Sequence, residues 1–260
     1  MDAAKVEARV RALLARAEHP TTPRPEAEAA HAKAAELMMR HALDEAALRA
    51  DRGERHDPVV YWERIAIGAG GHARARSAAA GAVIRAFGGR YAVRGDGTHR
   101  QDITLLVVTT RAARDALSLL LPSLELQMEQ AGRRETDDYM GAVPEAAFAR
   151  RSDRSRWANN YFRAFLVGYA DAVARRVEAA RDGLRDEAVG AGEGGSRALV
   201  LVGEERRVAA EFDARFPVLG RPRRHRLRAD GYRAGRDAGR HADLGDGRLG
   251  AAGPALAPPA

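Results

Sequence analysis

The sequence predicts an α+β chain: an N-terminal antiparallel helical hairpin, then a β-α-β-β-α unit, then long C-terminal helices. Three observations carry this expectation. Apolar residues recur at three- and four-residue spacing over residues 4–42, interrupted by a proline-rich break. The period shortens to two over residues 59–67, then returns to helical spacing over 73–87. From residue 152 onward, aromatic and aliphatic side chains again follow a helical period.

The first predicted helix covers residues 4–19, with Val6, Val10, Leu13, Leu14 and Ala17 as one apolar stripe. Pro20, Pro23 and Pro25 end it, because proline lacks the amide hydrogen that continues a helical ladder. A second helix is expected over 25–42, with Glu26 and Glu28 in its first turn, where the helix dipole favours anions. Its stripe is Ala27, Ala30, Ala34, Leu37, Met38 and then His41 or Ala42. A connector this short makes the two helices antiparallel. Residues 44–48 read as a capped turn or short helix, and 51–58 as a polar linker.

Val59, Tyr61, Ile65 and Ile67 mark a strand over 59–67, followed by a Gly68-Ala69-Gly70-Gly71 turn. An alanine-rich helix over 73–87 stops at Gly88-Gly89. Strands at 90–93 and 103–109 flank Gly95-Asp96-Gly97, which reads as a hairpin with an Asp-Gly turn. Thr109 or Thr110 then caps a helix over 111–130, and 132–151 is expected to be polar and irregular. A long helix over 152–184 should face Trp157, Tyr161, Phe162, Phe165, Leu166, Tyr169 and Val173 inward. A glycine-rich loop at 189–196, a short apolar strand at 198–202 and a helix over 204–216 follow. A basic stretch leads to a last helix over 229–241. The expected organisation is a hairpin module at 1–50, an α+β body at 58–245 and a disordered, Gly/Ala/Pro-rich tail at 246–260.

The hairpin residues carry a resemblance. Lys5-Val6 through Leu13-Leu14-Ala15-Arg16-Ala17-Glu18 is followed by Glu26-Ala27, Ala32-Lys33-Ala34, Glu36-Leu37-Met38 and His41-Ala42-Leu43-Asp44. This ordered pair of half-motifs resembles the bacterial and phage domain of unknown function numbered 2786. The segments Phe165-Leu166-Val167-Gly168-Tyr169-Ala170 and Gly231 to Arg240 are similar to the C-terminal region often found beside it. The resemblance implies an architecture and no mechanism, so it assigns no functional residues.

Charge and composition bound the chemistry. The net charge is +7 and the isoelectric point about 10.3, yet Lys5 and Lys33 are the only lysines among 43 basic side chains. That Arg/Ala bias is what a GC-rich genome imposes, so charge alone is no nucleic-acid footprint. Basic and acidic residues balance over residues 1–50, which leaves the excess in the body and C-terminal region. The chain has no cysteine, excluding disulfides, thiolate catalysis and cysteine-bound metals. Neither a secretory leader nor a run of about 20 apolar residues is present, so a cytoplasmic protein without membrane partners is expected.

Two features stand out. Arg221, Arg223, Arg224, Arg226 and Arg228, with His225, form the densest basic run, a nucleic-acid contact or else a solvated connector. Gly231, Gly235 and Gly239 repeat every four residues, giving a smooth helix face for close packing, with a backbone platform for phosphate as the alternative. No His-Glu-x-x-His, Gly-x-Ser-x-Gly or Walker loop occurs, and His31/Glu28, His41/Asp44 and His241/Asp243 read as surface pairs. No catalytic residue, cofactor or metal is therefore assigned. The leading expectation is a non-enzymatic protein with an interaction hairpin on an α+β body that contacts nucleic acid. The alternatives are a hydrolase or nuclease-like enzyme using Asp96, Asp102 and Asp115, or a structural protein that self-associates through the hairpin.

Overall fold

The computed structural model describes residues 3–18, 33, 34, 37, 57–95, 102–190, 194–220 and 227–241. Its elements are α1 (Ala3–Glu18), β1 (Val59–Gly68), α2 (Ala73–Ala86), β2 (Arg90–Arg94) and β3 (Ile103–Thr110). They continue with α3 (Arg111–Ala142), a 3₁₀ turn (Glu145–Ala147), α4 (Arg151–Gly190), α5 (Gly194–Arg215) and α6 (Ala229–His241). The chain is a mixed α+β protein with a small antiparallel sheet and long C-terminal helices.

The sheet order is β1-β3-β2, with β3 pairing antiparallel to both neighbours. Covering on both faces explains why β3 reads as a continuous apolar run rather than an alternation. Leu105 and Val107 face the main core with Val83, Ile84, Phe165 and Leu166. Leu106 and Val108 face the other way, against Val208 and Phe212 of α5. β1 divides its side chains similarly, Trp62 and Ile67 toward the main core and Val59 and Tyr61 toward α5, with register shifts on either side of Ile65 and Ala66. Val6, Val10 and Leu14, one helical turn apart, join the main core together with Ala34.

Helix ends follow local chemistry. The N–H of Gly89 donates to the Ile84 carbonyl at 3.0 Å across Gly88, whose φ of +79° suits a residue without Cβ. At the start of α3, Thr110 Oγ1 accepts from the Ala113 N–H at 3.4 Å and the buried Asp57 carboxylate from the Ala112 N–H at 3.0 Å.

β2 and β3 pair antiparallel from Arg90↔Val108 to Arg94↔Thr104, as the expected hairpin requires, and Asp96 and Gly97 of the expected turn lie outside the described residues. Several expectations are corrected. Residues 132–142 are helical, since Met128, Gly132, Thr136 and Met140 extend the buried stripe of α3 at four-residue spacing through a polar stretch. The buried Thr136 hydroxyl is satisfied within the helix by the Gly132 carbonyl, at 2.7 Å. The expected strand at 198–202 lies inside α5, because a short apolar run does not distinguish strand from buried helix. α4 also runs on to Gly190, into the expected loop. Trp157 is 38% exposed rather than part of the core, although Tyr161, Phe162, Phe165, Leu166, Tyr169 and Val173 are buried as a stripe. Of the expected second hairpin helix, Lys33, Ala34 and Leu37 are helical, and the rest of it lies outside the described residues, as do residues 44–48 and the tail at 246–260.

α4 and α6 meet backbone to backbone. A Cβ placed on Gly231 would stand 2.6 Å from the Tyr161 carbonyl oxygen, and one on Gly239 2.5 Å from that of Tyr169. One on Gly235 would strike the Phe165 carbonyl, and one on Gly168 the carbonyl of Tyr232. The glycine face of α6 is therefore filled by α4. Partner numbers rise together along both helices, so the two run parallel and begin at the same end of the molecule. Gly235→Ala should lower unfolding stability by about 2–3 kcal/mol, since backbone rather than a yielding side chain blocks the new methyl. Urea denaturation checks this, and a variant within about 0.5 kcal/mol of wild type would refute the contact.

Candidate functional site

The parallel run of α4 and α6 brings Trp157, from the second turn of α4, beside the residues that open α6. The Arg228 guanidinium carbon lies 3.7 Å from the centroid of the Trp157 ring, a van der Waals stack of a planar cation on an indole face. Within its own plane the same guanidinium forks onto Asp230, Nε donating to Oδ1 at 3.0 Å and Nη2 to Oδ2. Asp230 Oδ1 also accepts from the Gly231 N–H at 2.8 Å, which places a carboxylate at the positive end of α6.

Tyr139, near the end of α3, links these groups. Its hydroxyl donates to Asp230 Oδ2 at 2.9 Å and accepts from Arg228 Nη2 at 3.3 Å and Trp157 Nε1 at 3.4 Å. Its ring stacks on Tyr161 at 4.0 Å between centroids, and the Tyr161 hydroxyl donates to Glu135 at 3.4 Å. Burial, with Glu135 adding to it, raises the Tyr161 phenol well above its ordinary range, so it keeps the proton it donates to Glu135. Phe148 meets the Trp157 ring edge-on at 5.7 Å. The Arg228 fork holds the Asp230 carboxyl far below the usual carboxylate range against the opposing pull of burial, with the Gly231 amide and Tyr139 hydroxyl assisting.

The surroundings are rich in arginine. Arg150, Arg151 and Arg156 are exposed around the first turns of α4, with Asp153 and Glu145 among them. Arg154 donates to the Met140 carbonyl at 3.1 Å and pairs with Glu145 at 3.7 Å, tying the end of α3 to α4. Of the basic run singled out in the sequence, Arg228 is thus built into the body, whereas Arg221, Arg223, Arg224 and Arg226 lie outside the described residues.

A second polar cluster sits where the Gly68–Gly71 turn enters α2. Arg76 forks onto Glu129 at 2.6 and 3.2 Å, and Arg133 approaches the same carboxylate at 3.6 Å. Glu125 borders a cavity of about 20 Å³ lined by Ala79, Val83, Leu124 and Tyr169, and burial raises its carboxyl above the ordinary value. The neighbouring His72 lies edge-on to Phe162 at 4.8 Å, its pKa lowered by burial and then by Arg163 and Arg76. Arg76, Arg133 and Glu129 are spent on one another, joining α2 to α3.

Of the acids considered for an enzyme, Asp102 and Asp115 do not assemble. Asp102 precedes β3 and Asp115 follows its far end, so a strand of eight residues, about 27 Å long, separates them. Asp96 lies outside the described residues. Among the described residues no group of three or more His, Cys, Asp or Glu side chains could hold a metal ion, and no helix is long and apolar enough to cross a membrane.

Residues 5–45 match the model of a family described as a protein of unknown function (DUF2786), the family that the hairpin motif resembles. No curated protein and no solved structure matches the chain.

The Asp230 cluster makes a pH prediction. Because the folded-state carboxyl is depressed, its contribution is complete above the unfolded value near 3.9 and is lost as pH falls through the lower folded value. Asp230→Asn should cost about 1 kcal/mol at neutral pH, a figure already reduced for partial exposure. The gap between wild type and variant should narrow on acidification below about pH 4. Urea unfolding of both proteins over that range measures it, and a gap unchanged from neutral to strongly acidic pH would contradict the assignment.

Proposed function

We propose that this chain is a binding protein rather than an enzyme, and that its basic run at residues 221–228 engages the phosphates of nucleic acid. The observation that carries this reading is the fixed position of Arg228. Stacked on Trp157 and forked onto Asp230, it anchors the end of the run to the body beside exposed Arg150, Arg151 and Arg156. The run therefore meets the body at this one fixed arginine. Concentrated cationic charge of that kind displaces counterions from a polyanion and binds it in a salt-dependent way.

In this reading the N-terminal hairpin is a docking element. Its charge is balanced, and its Val6, Val10 and Leu14 stripe is turned into the core of the chain itself. The exposed side of α1 is left for a protein partner or a second copy, and the setting is cytoplasmic. The separation of Asp102 and Asp115 weighs against the hydrolase or nuclease alternative.

Fluorescence anisotropy with labelled single-stranded and duplex oligonucleotides over a salt series tests the proposal. Wild type should bind at about 50 mM salt, with affinity falling steeply as salt rises. Replacing Arg223, Arg224 and Arg226 by alanine should flatten the log–log salt slope by about 2–3, at ~0.7–0.9 per phosphate contact removed. Absence of binding at low salt, or an unchanged slope in the triple variant, would refute it.

A further inference from the structure

We propose that Trp157 and Arg228 form a stacking platform for an unpaired base, which makes single-stranded nucleic acid the preferred ligand. The inference rests on the phosphate-binding reading above and specifies its ligand. Trp157 stands in register with the buried stripe of α4 yet is 38% exposed. One face of its indole carries the Arg228 guanidinium at van der Waals distance. That guanidinium is itself flat, and its Nε and Nη2 are held by the Asp230 carboxylate and the Tyr139 hydroxyl, which fix it over the ring. Its side chain keeps 26% of its surface exposed.

A rigid planar cation lying on an aromatic ring offers a second planar face, and a nucleobase stacks on such a face without regard to its identity. Nη1 has no partner among the described residues, so it can donate to a phosphate or a base edge beside the stack. A duplex hides base faces within its own stack and gains nothing from the platform, whereas a single strand presents them. Arg151 and Arg156, on the first turns of the helix that bears Trp157, and Arg150 just before it then lie along the path of the flanking phosphates.

The proposal separates base stacking from charge, and so does its test. A dodecamer of deoxyadenosine and an abasic strand of equal length carry the same phosphates, and only the first has bases to stack. The full chain carrying Trp62→Phe leaves Trp157 as the sole indole. Binding of the dodecamer should change its fluorescence and should be at least about fivefold tighter than binding of the abasic strand. Arg228→Lys keeps the charge and removes the plane, so it should abolish that preference while leaving the abasic strand bound. Equal affinity for both strands, without a change in indole emission, overturns the platform and leaves phosphate binding intact. Failure of both strands to bind at low salt overturns the phosphate reading, and the platform with it.

Discussion

The close contact between α4 and α6 is the constraint on which the rest of this structure depends. α6 has 13 residues and an outer face crowded with charge, and an isolated helix of that length is marginal in water. Its order therefore comes from docking. Docking requires that nothing larger than hydrogen stand at Gly231, Gly235 and Gly239, because the carbonyls of Tyr161, Phe165 and Tyr169 occupy the space a Cβ would need. Both rows repeat every four residues, so the ridge of one helix fits the groove of the other along its length. At that separation the glycine Cα–H groups lie close to the opposing carbonyls, a weak attraction repeated at each turn.

The parallel sense of this pair decides where the chemistry falls. An antiparallel α6 would begin beside the far end of α4, distant from Trp157. In the observed arrangement both helices begin together, and Arg228, Asp230, Tyr139 and Trp157 converge there. α5 makes this possible by carrying the chain back across the second face of the sheet, where Val208 and Phe212 cover Leu106 and Val108. The element that closes the sheet thus also precedes the return of Arg228 to the end of the molecule that holds the aromatic cluster.

Much of this architecture can be read from the residues, and the gaps have physical causes. The boundaries of α1, β1, α2, β2, β3 and α6 follow from periodicity, glycine and proline, because those signals are local. The extension of α3 past Gln130 was hidden because its buried positions there are Gly132 and Thr136, which hydropathy does not count as core. The helical state of 198–202 depends on a long helix covering the sheet, which no local window contains. At the site, the basic run and the glycine ladder are visible in sequence, whereas the role of Trp157 is not. Its spacing is that of a core residue, whereas in the structure it is 38% exposed. Tyr139 was concealed similarly, in a stretch whose polarity suggested irregular chain. The pairing of Arg228 with Asp230 leaves one local sign, an acid in the first turn of α6 just after an arginine.

Hydrogen–deuterium exchange of the amides of α6 tests the dependence on this helix pair most directly. If backbone docking onto α4 holds α6 in place, residues 233–241 should exchange as slowly as the buried turns of α4 around Phe165, and both should open together as denaturant is added. Exchange of α6 near the rate of an unprotected peptide, while α4 remains protected, would contradict the account.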